Sequence, residues 1–123
     1  MERDALTHEV IGAAIEVHRE LGPGLLESVY EVCLCHELEL PGIEHRRQVK
    51  LPVNYKGVQL DADFRIDILM PGLLTIEVKS VERMLGVHDA QLLTYLKLSK
   101  IPVGLLLNFN VPVLKDGMKR LVH

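Results

Sequence analysis

Long apolar runs are missing from this chain, and none comes near the ~18 residues that a membrane span requires. Cysteine is scarce. The only two, Cys33 and Cys35, lie two apart on an expected helix, where side chains at that spacing point away from each other. They suit neither a disulfide nor a shared metal, and buried reduced thiols are expected. The six histidines show no H-x-x-x-H spacing and no Cys/His pairing, which argues against a zinc-type centre. An excess of positive charge is also lacking: 14 Lys and Arg stand against 17 Asp and Glu, for a net charge of −3. That balance argues against a protein that coats nucleic acid through a broadly basic surface, though only in part, since a nuclease site is itself acidic until cations fill it. The stretch Met1-Glu2-Arg3-Asp4-Ala5 has neither the basic start nor the apolar core of a secretory signal, so a cytoplasmic protein is expected. No repeat, low-complexity tract or linker interrupts the chain.

What is present is an ordinary globular composition, 48% hydrophobic and 25% charged. A single domain over residues 1–123 is the natural reading, and a chain of this size buries roughly two thirds of the surface its unfolded form exposes. Basic residues gather locally at Arg46-Arg47, Lys50, Lys97, Lys100 and the tail Lys115, Lys119 and Arg120. Such clusters are more often solvated faces than phosphate contacts.

The apolar residues Val10, Ile11, Ala14, Val17 and Leu21 recur at three- and four-residue spacing and predict a helix from about Thr7 to Leu21, stopped by Gly22-Pro23-Gly24. A second helix is predicted from about Leu25 to Leu40, ended by Pro41-Gly42. The period then changes to two. Val49, Leu51 and Val53 alternate with polar residues, Tyr55-Lys56-Gly57 turns the chain, and strands continue through Val58 to Leu60 and Phe64 to Met70. Pro71-Gly72 turns again before a strand at Leu73 to Ser80. Helical spacing returns over His88 to Lys100, and Ile101 to Phe109 reads as a strand covered on both faces. The order is α, α, β, β, β, α, β with a short polar tail, an α+β domain.

Four groups of residues could converge. Glu27 and Tyr30 sit one turn apart near the start of the second helix, where an acid also simply complements the helix dipole. Asp67 lies between Ile66 and Ile68, which alternation sends to the opposite face, and an acid in so apolar a strand is costly unless paired or bound to metal. Glu77 and Lys79 share a strand face as either an ion pair or the working end of a metal site. Gln91 and Tyr95 lie at i and i+4 on a Leu-rich helix, and His88 opens that helix where it would line the same cleft. Residues opposite each other in an antiparallel pair share a face. Asp67 and Glu77 therefore meet only if paired residue numbers have an even sum, as a three-residue turn at Pro71-Gly72-Leu73 provides, whereas a two-residue Pro71-Gly72 turn pairing Met70 with Leu73 would place them on opposite faces unless a bulge intervened.

Asp67, then Glu77-x-Lys79, then Gln91-x-x-x-Tyr95 resembles the PD-(D/E)XK nuclease superfamily, and the glutamine-to-tyrosine motif is similar to that of its branch containing the bacterial recombination exonucleases and lambda exonuclease. Gly24-x-x-Glu27-x-x-Tyr30 resembles the signature of the GxxExxY proteins, with similarity from about Glu9 to Arg120. Ile66 stands where the superfamily's name has proline. The resemblance implies a restriction-endonuclease-like core, a central mixed β-sheet flanked by helices. It also implies Mg²⁺ or Mn²⁺ held by Asp67, Glu77, the carbonyl of Val78 and Glu27, the last directly or through water. Lys79 would orient the attacking water or stabilise phosphate charge, while Gln91 and Tyr95 would position Lys79 or the phosphate. The implied activity is a metal-dependent nuclease acting on DNA or RNA. The alternatives are a non-catalytic module that keeps the fold and binds nucleic acid or protein, and a hydrolase of smaller phosphodiesters. No membrane association is expected, and both monomer and homodimer remain open.

Overall fold

A computed structural model describes the backbone of all 123 residues and the side chains of all but residues 62 and 63. The two predicted helices form α1, Arg3–Leu21, and α2, Glu27–Glu39. Between them the Gly22-Pro23-Gly24 corner is clamped by Tyr30, whose hydroxyl donates to the Gly22 carbonyl (2.6 Å) and accepts from the Leu25 N–H (3.1 Å). The Tyr30 ring is fully buried and stacks on Phe109 at 4.5 Å. Strands β1 (Arg46–Tyr55), β2 (Val58–Met70) and β3 (Leu74–Lys79) follow, then α3 (Gly86–Ser99), β4 (Val103–Asn108), a short 3-10 turn at Leu114–Gly117 and β5 (Met118–Val122). The five strands lie in chain order, with β3 and β4 parallel and the other neighbours antiparallel. This is the expected α+β architecture with a mixed sheet. The helix α3 supplies the crossover that a parallel pair requires.

The tail residues expected to be irregular form β5 instead. It is an edge strand paired only with β4, and its solvent-facing Lys119 and Arg120 give it a polar composition while Leu121 and Met118 pack inward. Charged side chains on a sheet edge are what hid it from a pattern search. Among the described residues, no helix is long and apolar enough to cross a membrane.

One face of the sheet, with Ile68, Met70, Leu74, Ile76, Val78, Leu105 and Leu107, packs on α1 and α2 in the main core. The other face receives α3, where Leu92 and Leu96 meet Leu106. Ile66 does not join Ile68, as simple alternation expected. It packs with Leu51 and Tyr95, so the β1–β2 ribbon changes cover between these two isoleucines. At that point Gln48 adopts φ +51°, a left-handed conformation rare for a residue with a side chain.

The end of β3 is tied down by Asn108. Its side chain accepts from the Val81 N–H and donates to the Val81 carbonyl. Asn108 is held in turn by Gly117, where an added Cβ would lie 2.1 Å from the Asn108 carbonyl oxygen. Gly117→Ala must therefore displace backbone, and urea unfolding is expected to show a loss of about 2–3 kcal/mol, in the range of overpacking.

Candidate active site

Pro71, Gly72 and Leu73 form the three-residue turn that the site requires. The Leu73 N–H donates to the Met70 carbonyl (3.0 Å), and Gly72 takes φ +72°, which favours glycine. The ladder then pairs Met70 with Leu74, Leu69 with Thr75 and Ile68 with Ile76. The sums are even, so Asp67 falls opposite Glu77 on one face, the face that α3 covers.

At that position the main-chain ladder between β2 and β3 stops. The Asp67 carboxylate takes the place of a backbone acceptor, with Oδ2 receiving the Val78 N–H at 2.8 Å, while the Asp67 N–H reaches Glu77 Oε1 at 3.4 Å. Beyond it β2 pairs only with β1, whereas β3 stays paired with β4 through Lys79. The two strands part around two carboxylates. Glu77 is 2% exposed, and burial first, then the Asp67 charge and a hydrogen bond with Asp67, push its carboxyl up to about 9. A buried acid that holds its proton this strongly has too few partners for its charge.

Lys79 is half-buried one strand repeat beyond Glu77. Its ammonium donates to Gln91 Oε1 (3.0 Å), and Gln91 Nε2 donates to the Tyr95 hydroxyl (3.1 Å), so α3 lays a polar line beside the acid pair. The Tyr95 phenol is raised by burial and then by the nearby Glu77 charge. His88 lines the groove beside this line, as expected, and its Nδ1 accepts the Leu85 N–H to cap α3.

Glu27 is exposed at the start of α2. The loop before it is joined to the end of β3 by the Ser80 hydroxyl, which donates to the Leu25 carbonyl (2.5 Å). Among the described residues, no three His, Cys, Asp or Glu side chains gather closely enough to hold an ion. Tyr30, grouped with Glu27 by its helical spacing, serves the core and the glycine corner. The acid that α2 does bury is Glu31, which the sequence reading missed. Glu31 accepts from Arg47 Nε (3.0 Å) and from Gln48 Nε2 (2.7 Å), and the same Gln48 amide reaches Asp67 Oδ1 at 3.2 Å. The signal was Glu31 lying i+4 from Glu27 and i−4 from the buried Cys35, beside the apolar stripe. Cys35 is buried and Cys33 half-buried, both free, and burial pushes the Cys35 thiol up to about 11.

Several basic residues read as solvated clusters are ion-paired: Arg47 to Glu31, Lys50 to Asp61 and Lys119 to Asp89. Because the Glu31 side chain is only 6% exposed, Arg47→Ala leaves a buried carboxylate short of its partner. The Arg47 side chain is itself 41% exposed, so solvent screening limits the loss to about 1–2 kcal/mol in thermal or urea unfolding.

An acid pair at a strand divergence, a lysine two residues on and a glutamine-tyrosine line from the next helix thus meet on one face of the mixed sheet. A model of the PD-(D/E)XK nuclease superfamily matches residues 4–121, and the chain belongs to that superfamily. Comparison with curated proteins and with solved structures finds no match. Members of the superfamily are typically metal-dependent. The donor set here suits such an ion: two carboxylates, one buried and short of partners, offer hard oxygen ligands. Mg²⁺ is commonly held by one or two carboxylates, with water and substrate phosphate completing its shell.

Proposed function

We propose that this protein is a Mg²⁺- or Mn²⁺-dependent nuclease of the GxxExxY group that hydrolyses phosphodiester bonds in DNA or RNA. The observation that carries the reading is the meeting of Asp67 and Glu77 where β2 leaves β3, with Lys79 beside them. Asp67, Glu77 and the Val78 carbonyl would hold the cation, and Glu27 would join through water. When bound, the cation lowers the pKa of water and neutralises phosphate charge.

The chain's own residues do the rest. Gln91 holds the Lys79 ammonium at one end of the acid pair, where it meets a phosphate oxygen and stabilises the charge that develops there. Tyr95 fixes the Gln91 amide by accepting its N–H, which keeps the carbonyl turned toward Lys79. Gln48, tied to the buried Glu31, also holds the Asp67 carboxylate through its Oδ1. Ile66 and Leu51 pack with Tyr95 and give it an apolar backing.

The test is incubation of the purified protein with end-labelled single- and double-stranded DNA and RNA in Mg²⁺, Mn²⁺ or EDTA. Cleavage that requires the cation is expected. Absence of cleavage of all four substrates in both metals would leave the binding-module alternative in its place.

A further inference from the structure

Beside Lys79 runs an open groove of about 560 Å³ whose lining includes Phe64, His88, Gln91, Thr94 and Tyr95. Its walls are mostly apolar. Phe64 comes from the part of β2 that has already left β3, and remains 40% exposed although it is a large apolar ring. It meets Tyr95 edge-on, with centroids 6.4 Å apart and planes at 69°, so one Phe64 face is left unpacked by that contact. The Lys79–Gln91 pair is its charged part, two residues along β3 from Glu77, while His88 and Thr94 add polar atoms on the α3 wall.

A ligand that fits must join a flat aromatic body to an anion. An apolar peptide would leave the ammonium of Lys79 unanswered, and a bare phosphate would leave the aromatic wall unused. A nucleotide unit satisfies both, and the volume lies within the range of small-molecule sites. A base inside a duplex cannot present its face to Phe64, because its neighbours already cover it. We propose that this groove receives one unstacked nucleobase of a single-stranded or frayed polynucleotide, stacked on Phe64, while the adjoining phosphate lies at Lys79. The proposal rests on the nuclease reading of the site and narrows its substrate to single-stranded ends or segments.

Binding of a fluorescent single-stranded oligodeoxynucleotide in EDTA tests this, compared with the same oligonucleotide built from abasic sites, with a blunt duplex and with a nucleoside monophosphate as competitor. Base–aromatic stacking predicts that the wild type binds the normal strand roughly tenfold more tightly than the abasic one. Phe64→Ala should erase that difference without weakening abasic binding, and Phe64→Tyr should restore it. Equal affinity of the wild type for normal and abasic strands would overturn the proposal, as would a Phe64→Ala loss that is the same on both. Competition by the monophosphate at concentrations below those of the oligonucleotide would assign the groove to free nucleotides and overturn it too. Cleavage of the same strands in Mn²⁺ separates the two readings. Cleavage indifferent to Phe64 and to the bases removes the groove proposal and keeps the nuclease, whereas base-dependent binding without cleavage removes the nuclease.

Discussion

Glu77→Gln is expected to make the metal-free protein more stable at pH 8 and, at the same time, inactive. In the unfolded chain Glu77 loses its proton near its ordinary 4.5, but in the fold it keeps it up to about 9, because burial and the Asp67 charge disfavour the anion. Between those values the folded state holds the extra proton, so stability falls as pH rises from about 4.5 toward 9. The amide removes that dependence. At pH 8 in EDTA the variant should gain about 2–4 kcal/mol, seen as a melting temperature roughly 10 °C higher, with the gain vanishing as pH falls toward 4. Melts of both proteins across pH 4–9 check it. A variant that melts below the wild type at pH 8 would mean that Glu77 is well solvated or well paired after all.

Lys79→Ala should have the opposite signature, with little change in stability and a large loss of rate. The ammonium has one described hydrogen-bond partner, Gln91, only a minor electrostatic effect on Glu77 and no place in the apolar cores, so its removal leaves the fold nearly untouched. Its proposed task belongs to the charge that develops on phosphate, an interaction worth about 10²–10³ in rate when a single positioned group is lost. The shift in melting temperature caused by Mn²⁺ should survive, because Asp67 and Glu77 remain. Single-turnover cleavage set beside Mn²⁺-dependent melts separates these effects. A variant that loses the Mn²⁺ shift would place Lys79 in ion binding and not in catalysis.

Much of this arrangement is legible in the sequence. Pro71-Gly72 announces a turn but not its length, and because strand alternation has a period of two, that length decides whether Asp67 and Glu77 share a face; the structure adds Leu73 to the turn and pairs Met70 with Leu74. The helix carrying Gln91 and Tyr95 declared itself by its leucines. Alternation failed at Ile66 and Ile68, where the β1–β2 ribbon passes from the cover of α1 and α2 to the cover of α3, with the left-handed Gln48 at the crossing. No residue type at position 48 announces that conformation. Glu31 was missed because an acid on a helix is read as solvated, and its burial depends on Arg47 and Gln48 arriving from a strand some sixteen residues later. Strand β5 was missed for the reverse reason: an edge strand spends half its positions on water, and its lysine and arginine resemble a tail.

Whether the Asp67–Glu77 pair takes up a divalent cation is settled most directly by calorimetric titration of Mn²⁺ into the wild type and Asp67→Asn at pH 7.5, each in two buffers of different ionisation enthalpy. The predicted result is one site in the wild type that releases about one proton as the cation displaces it from Glu77, and no comparable site in the folded Asp67→Asn protein. Wild-type heats indistinguishable from those of Asp67→Asn would contradict it.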